Sequence, residues 1–212
     1  MATLLLRFQA PLQSWGISSL FTERDTAREP SKSGVIGLLC AALGRGRSAD
    51  VSDLASLRMG VRVDREGSLE MDFQTSADVF TADGKISKNA VVSRRYYLAD
   101  AVFLVGLEGP LEILASLDQA VRHPEWQLYL GRKAFPPSLP VWLPDGLRQG
   151  GLEDELQAYP ALVEGKGKMR LILEDEEGQF QRRDVPLNFA RRAFAARSIR
   201  MEFCSRPDEK GA

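Results

Sequence analysis

The chain has 212 residues, 44% of them hydrophobic and 27% charged, with a formal net charge of −1. A chain of this length buries roughly 70% of its unfolded surface on folding, so no disulfide, metal or cofactor is required to hold a core. Its apolar runs fall short of the roughly 20 residues of a membrane span, and MATLLLRFQAP lacks the basic start and long apolar region of a signal peptide. With Cys40 and Cys204 far apart, reduced thiols and a cytoplasmic protein with no membrane partner are expected.

Residues 3–9 predict a strand. The chain then breaks at Pro11 and Gly16 and crosses a polar loop bearing Arg24 and Arg28. A helix is predicted over 32–43, with Ser31 as N-cap and Gly44 as its stop. A short helical turn follows over 51–57, then the strand MGVRVDR from Met59 and the extended segment EMDFQTSADVF from Glu70. TADGKISK, centred on Asp83 and Gly84, has the chemistry of a hairpin tip, and VVSRRYYL is the return. The apolar strand DAVFLVGLE from Asp100 leads into an amphipathic helix, PLEILASLDQAVRH, with Pro110 in its first turn. Gln127 to Leu130 read as strand-like. Beyond about residue 141 the chain is loop-rich, with a strand, turn, strand hairpin around Glu177 and Gly178.

The order strand, helix, strand, long hairpin, strand, helix, strand predicts an α+β fold. It corresponds to a ferredoxin-like, RRM-like βαββαβ core over 1–140, a β-hairpin inserted at about 70–97 and a small β-rich C-terminal appendage over 141–212. In such a core the helices cover one sheet face and leave the other, with the hairpin, to single-stranded RNA.

Charge is unevenly spread. Residues 145–180 hold four basic and nine acidic side chains, whereas 182–206 hold seven arginines and two acids. One face can therefore be positive although the whole is not. The helix start at Pro30-Ser31-Lys32-Ser33 aims free N–H groups and the positive end of a dipole at the loop carrying Arg24 and Arg28, an arrangement that receives phosphate. Lys32 is the strongest single candidate, because a cation there is unfavourable unless an anion joins it. Arg94, Arg95, Tyr96 and Tyr97 stand at the hairpin's return. Neighbouring strand residues face opposite ways, so at most one arginine and one tyrosine share a face. Gly131, Arg132 and Lys133 make a compact cationic turn, and Gly165 to Lys168 a flexible basic loop. Trp15 either stacks on a base or anchors its turn in the core. The roles of Arg191, Arg192 and Arg197 stay open.

Five motifs in order, PLQSWG from Pro11, PSKSGVIGLL from Pro30, DFQT at Asp72 to Thr75, RRYYLADAVF from Arg94 and YLGRK from Tyr129, resemble the fifth family of CRISPR-associated (Cas) proteins. That family belongs to the repeat-associated RNA-binding superfamily, and the match is to its members in type I-E Cascade complexes. The resemblance implies a subunit that grips the 5′ handle of the CRISPR guide RNA, touches the backbone and large Cascade subunits, and meets target DNA only indirectly. It also implies that the inserted hairpin acts as a thumb that kinks the guide. Together with the residue chemistry, it nominates Gln13, Trp15, Arg24, Arg28, Lys32, Ser33, Arg94, Arg95, Tyr96, Arg132 and Lys133 as RNA-binding, with no metal ligands.

No catalytic residue is expected. The single histidine, His123, precedes Pro124 at a helix end, and Gln74 stands where many family members have histidine. The rival reading is a metal-independent endoribonuclease, the chemistry of related members in another CRISPR subtype, with Tyr96 or Tyr97 working with Lys32 or Lys88.

Overall fold

The computed structural model describes residues 1–17, 22–81, 83–86 and 89–207, so Lys88 lies outside the described residues. Its first elements are strands β1 (Ala2–Gln9), β2 (Leu12–Gln13) and β3 (Glu23–Arg24), then helices α1 (Lys32–Ala42) and α2 (Ser52–Ala55). Strands β4 (Arg58–Arg65), β5 (Ser68–Ser76), β6 (Val91–Ala99) and β7 (Val102–Gly109) follow, then helix α3 (Leu111–Arg122). The chain ends with β8 (Trp142–Arg148), α4 (Leu152–Ala158), β9 (Met169–Glu174), β10 (Phe180–Asn188) and β11 (Ala193–Cys204). The fold is α+β, with mostly antiparallel strands and few helices. None of the described helices is long and apolar enough to cross a membrane.

Among the described residues the strands form two sheets. The larger runs β10-β11-β9-β4-β7-β1-β8, antiparallel at every step. In the smaller, β5 pairs along one edge of β6, while β2 and β3 share the other edge, β3 running parallel to it. Strands β5 and β6 form an antiparallel ladder, from Ser68 opposite Ala99 to Ser76 opposite Val91.

Strand β1 is largely apolar because both of its faces are buried over Ala2 to Leu6. Leu4, Leu6 and Phe8 enter a core with Val35, Ile36 and Leu39 of α1 and Leu114 and Leu117 of α3. Leu5 points the other way, joining Leu104, Leu171 and Leu173 against Leu152 and Leu156 of α4. This corrects the expectation of a free sheet face for RNA: helix α4 covers it. Gly60 and Gly106 permit the close approach, since a Cβ on either would stand 2.6 Å from a Leu156 or Leu152 methyl.

The end of α4 is fastened by Arg62, which is fully buried. Its guanidinium bonds both carboxylate oxygens of Asp64 at 2.7 and 2.9 Å and donates to the carbonyls of Leu156, Tyr159 and Pro160. Those carbonyls belong to the helix's last turn and the residues just beyond it, where intrahelical donors run out.

Three further expectations change. Gln127 to Leu130 form no strand: Leu130 donates to the Phe135 carbonyl at 2.8 Å and accepts from Ser14 at 3.2 Å, so its backbone closes a turn and pins a loop. Strand β8 holds that sheet edge instead. The strands flanking Gly178 do not pair, because β11 lies between them; Gly178 packs on the Ile199 backbone, where a Cβ would meet carbon at 2.4 Å. Lastly, the segment after 141, expected as an appendage, supplies β8 to β11, which hydrogen-bond into the same sheet as β1, β4 and β7.

Leu156→Ala is expected to destabilise the fold by about 2–5 kcal/mol in urea denaturation. A loss below about 1 kcal/mol would mean that α4 only rests on the sheet.

Candidate nucleic-acid interface

The loop from Pro11 to Ser31 is built inward from its motif residues. Trp15 is 1% exposed and stacks on Phe8 with ring centroids 5.5 Å apart. Its indole N–H donates to Gln13 Oε1 at 3.2 Å, and Gln13 Nε2 donates to the Ala101 carbonyl at 2.8 Å. Gln13 is fully buried, so both side chains shape the wall and neither presents a face to RNA. Thr26 then clips the loop: its Oγ1 accepts from the Trp15 backbone at 2.8 Å.

The helix start is likewise filled from within. Ser31 caps α1, its hydroxyl accepting from the Gly34 N–H. The Lys32 N–H donates to Asp184 Oδ2 at 2.7 Å, and Lys32 Nζ lies 2.8 Å from Glu174. Arg197 joins both acids, at 2.7 Å from Asp184 and 3.4 Å from Glu174. Lys32 is 1% exposed, and burial lowers its pKa while Glu174 pulls it back up. The anion that this helix terminus favours is therefore Asp184, and the expected role of Lys32 as a phosphate ligand is corrected to an internal ion pair. Ser33 remains half-buried beside it.

Four arginines gather elsewhere. The parallel pairing of β3 with β6 sets Arg24 beside Arg95. With Arg47, Arg132, Ser14, Gly16, Asp25 and Gly131 they line a cavity of about 600 Å³. Arg132 lies 4.8 Å from the Tyr97 ring centroid, a cation–π distance, with Nη1 3.4 Å from the Tyr97 hydroxyl. The Tyr97 ring in turn meets Phe135 edge-on at 5.2 Å. Partial burial lowers the Arg132 pKa; Tyr97 opposes the shift and the like charges of Arg95 and Arg24 add to it. Arg95 Nε donates to Ser93 Oγ at 3.2 Å, and Asp72 stands opposite Arg95 in the ladder. Gly131 has a φ of +90° and sits so close to the Ser14 carbonyl that a Cβ would fall 1.7 Å from it, which fixes the turn carrying Arg132.

The remaining candidates divide. Register puts Arg94 and Tyr96 on the opposite face of β6 from Arg95 and Tyr97, with Met71 and Phe73 beside them. Arg94 pairs with Glu23 at 3.0 Å on the surface, a contact that contributes little. Arg28 lines a different groove with Arg170, Arg182 and Arg183. Lys133 and Ser33 line a groove beside α1 that adjoins the arginine cavity. Arg191 and Arg192 are exposed at the turn into β11. His123 caps α3, its N–H donating to the Gln119 carbonyl.

Arg47 is absent from the sequence-based candidates, although Arg45-Gly46-Arg47 directly after the Gly44 stop is a basic run at a helix end. Strand alternation leaves Tyr97 as one of two alternatives. Nothing in the local sequence marks Phe189, which follows β10 and reaches the bare face of α1 at Gly37.

A family model described as CRISPR-associated protein (Cas_Cas5) matches residues 3–202. The Cascade subunit CasD of Escherichia coli strain K12 is 33% identical over 156 residues, covering 66% of this chain and 69% of its own. Among solved structures, the crystal structure of a Cas protein is 48% identical with a TM-score of 0.81, over 96% of this chain and 95% of the other. A chain of a CRISPR RNA-guided surveillance complex is 36% identical with a TM-score of 0.82, over 98% and 92%.

Lys32→Ala is expected to lower stability by about 3 kcal/mol in chemical denaturation, the lower end for a broken buried pair. Arg197 and the Met59 N–H still hold Glu174 after the change. Unchanged stability would show that Lys32 is not part of an internal pair.

Proposed function

The chain belongs to the Cas5 family of CRISPR-associated proteins, and on that premise we propose that it is the guide-RNA-binding subunit of a Cascade-type surveillance complex, holding the 5′ handle without cutting it. The observation that carries this reading is the cavity of Arg24, Arg47, Arg95 and Arg132. Arginine offers planar, forked donors to phosphate and stacks on bases, and one carboxylate, Asp25, lines the cavity among the described residues.

In this reading β1, α1, β4, β7, α3 and β8 are a ferredoxin-like βαββαβ core. The sheet order β8-β1-β7-β4 supports it. The β5 and β6 hairpin is the thumb, with Arg95 and Tyr97 at its root toward the handle. Its other face carries the half-exposed Leu69, Met71, Phe73 and Val92, apolar surface suited to a neighbouring protein subunit. Backbone and large subunits are the expected neighbours, target DNA is met only through the complex, and the working compartment is the cytoplasm.

Two observations weigh against ribose-directed catalysis. Lys32 is closed inside an ion pair, and Tyr97 is buried beneath Arg132. Neither is placed to exchange a proton with a bound 2′-hydroxyl.

Arg95→Ala and Arg132→Ala are each expected to weaken binding of a labelled 5′-handle RNA and to reduce the slope of log K against log salt by about 0.7, the single-strand value per phosphate. Equal affinity and slope in both variants would remove the cavity as the phosphate site. In the same assay without metal, intact repeat RNA is expected to stay uncut; cleavage that disappears in Tyr96→Phe would establish the endoribonuclease instead.

A further inference from the structure

We propose that the groove running along α1, between that helix, Trp126, Tyr129 and Phe189, is a subsite for one unstacked base of the bound RNA. It rests on the handle-binding reading and deepens it.

The groove encloses about 460 Å³, within the range of small-ligand sites. Three aromatic rings line it: Trp126, half exposed, and the partly buried Tyr129 and Phe189. Such rings stack on any base, because every base has a π-face. Arg47 and Lys133 also line it, together with Arg45, whose guanidinium is paired with Asp53 at 2.7 Å; among the described residues no carboxylate lines it, so the charge of Arg47 and Lys133 suits a polyanion.

Continuity selects the occupant. Arg47 and Gly131 line both this groove and the arginine cavity. A strand with a phosphate in the cavity therefore has a neighbouring base at the mouth of the groove.

The helix itself bears the mark of a cavity kept open. Gly37 lies mid-helix, where glycine is the costliest residue apart from proline. A Cβ there would meet only Phe189 Cζ, at an ordinary 3.8 Å. Gly34, by contrast, is required by packing, since a Cβ would fall 2.8 Å from Trp15 Cε3. Packing leaves room for a methyl at position 37, yet the position is glycine, and its bare surface is a wall of the groove.

The test uses the full chain and fluorescein-labelled 5′-handle RNA, intact or with one base removed at each position in turn. One abasic position is expected to weaken binding to the unaltered chain about 10-fold, the scale of one stacked base. Trp126→Ala, and Gly37→Leu, which fills the groove while improving helix propensity, should weaken the intact RNA by a similar factor. They should lose nothing further on that abasic RNA and keep the salt slope, and Trp126→Phe should restore most of the affinity. Binding that Arg95→Ala weakens, but that Trp126→Ala and Gly37→Leu leave unchanged, overturns the base subsite alone. An abasic loss that persists undiminished in both variants places the base elsewhere and overturns it too. Absence of handle binding by the unaltered chain overturns both this subsite and the handle reading.

Discussion

The N-terminus of α1 is closed by charges from the other end of the chain, and the candidate interface is positioned by that closure. Asp184 of β10 accepts the first N–H of the helix, Glu174 of β9 pairs with Lys32, and Arg197 of β11 bridges the two acids. Buried ions are costly to desolvate and persist only with near-complete hydrogen bonding, so this network tolerates little displacement of α1 against the three strands. A chain of contacts carries that constraint outward. Gly34 lies on Trp15, Trp15 lies on Phe8 of β1, and the loop they fix delivers Arg24 to the edge of β6 beside Arg95. An arginine cavity with Arg24 on β3 and Arg95 on β6 is thus tied, through Trp15, to a helix cap filled by the protein's own charges.

A second constraint comes from the face of the sheet that α4 covers. A sheet with helices on one face leaves a platform for bases on the other; here that platform is closed by α4, whose end is gripped by the Arg62 and Asp64 pair. The arginine cavity lies instead beside the sheet, on the loop after β1, the edge of β6 and the turn after α3. These are positions where backbone leaves regular pairing and side chains of several elements converge, as binding residues usually do.

Much of the fold was legible because its elements carry local signals. Ser31 before α1, Gly44 after it, the amphipathic spacing of α3 and the turn chemistry at Asp83 and Gly84 all mark features that the structure contains. The pairing of β9 with β11 was not legible, since an apolar strand does not announce its neighbour. The site divides in the same way. Arg24, Arg95 and Arg132 lie together because each is anchored near a recognisable motif. Gln13, Trp15 and Lys32 also stand in recognisable motifs but are buried, the first two in packing and Lys32 in an ion pair, and only burial distinguishes these roles from an open one. The excess of arginine over 182–206 also misled: Arg182 pairs with Glu29, Arg197 with Asp184 and Glu174, and Arg200 with Glu153, Asp175 and Glu202. Long-range pairing, invisible in a running count, neutralises much of that segment.

This internal neutralisation explains how a chain of net charge −1 can present a cationic cavity. Within the acidic stretches over 153–155 and 174–177, Glu153, Glu155, Glu174 and Asp175 pair with arginines of β8 and β11 and with Lys32, while Asp154, Glu176 and Glu177 stay exposed. Arg24, Arg47, Arg95 and Arg132 share one cavity with Asp25, and partial burial first, then the like charges of Arg95 and Arg24, lower the pKa of Arg132. Tyr97 beneath Arg132 and Ser93 beside Arg95 hold two of the guanidiniums in place. On the proposed reading, a phosphate entering the cavity would meet these two guanidiniums already held, and a site arranged beforehand loses less of its attraction to ordering costs.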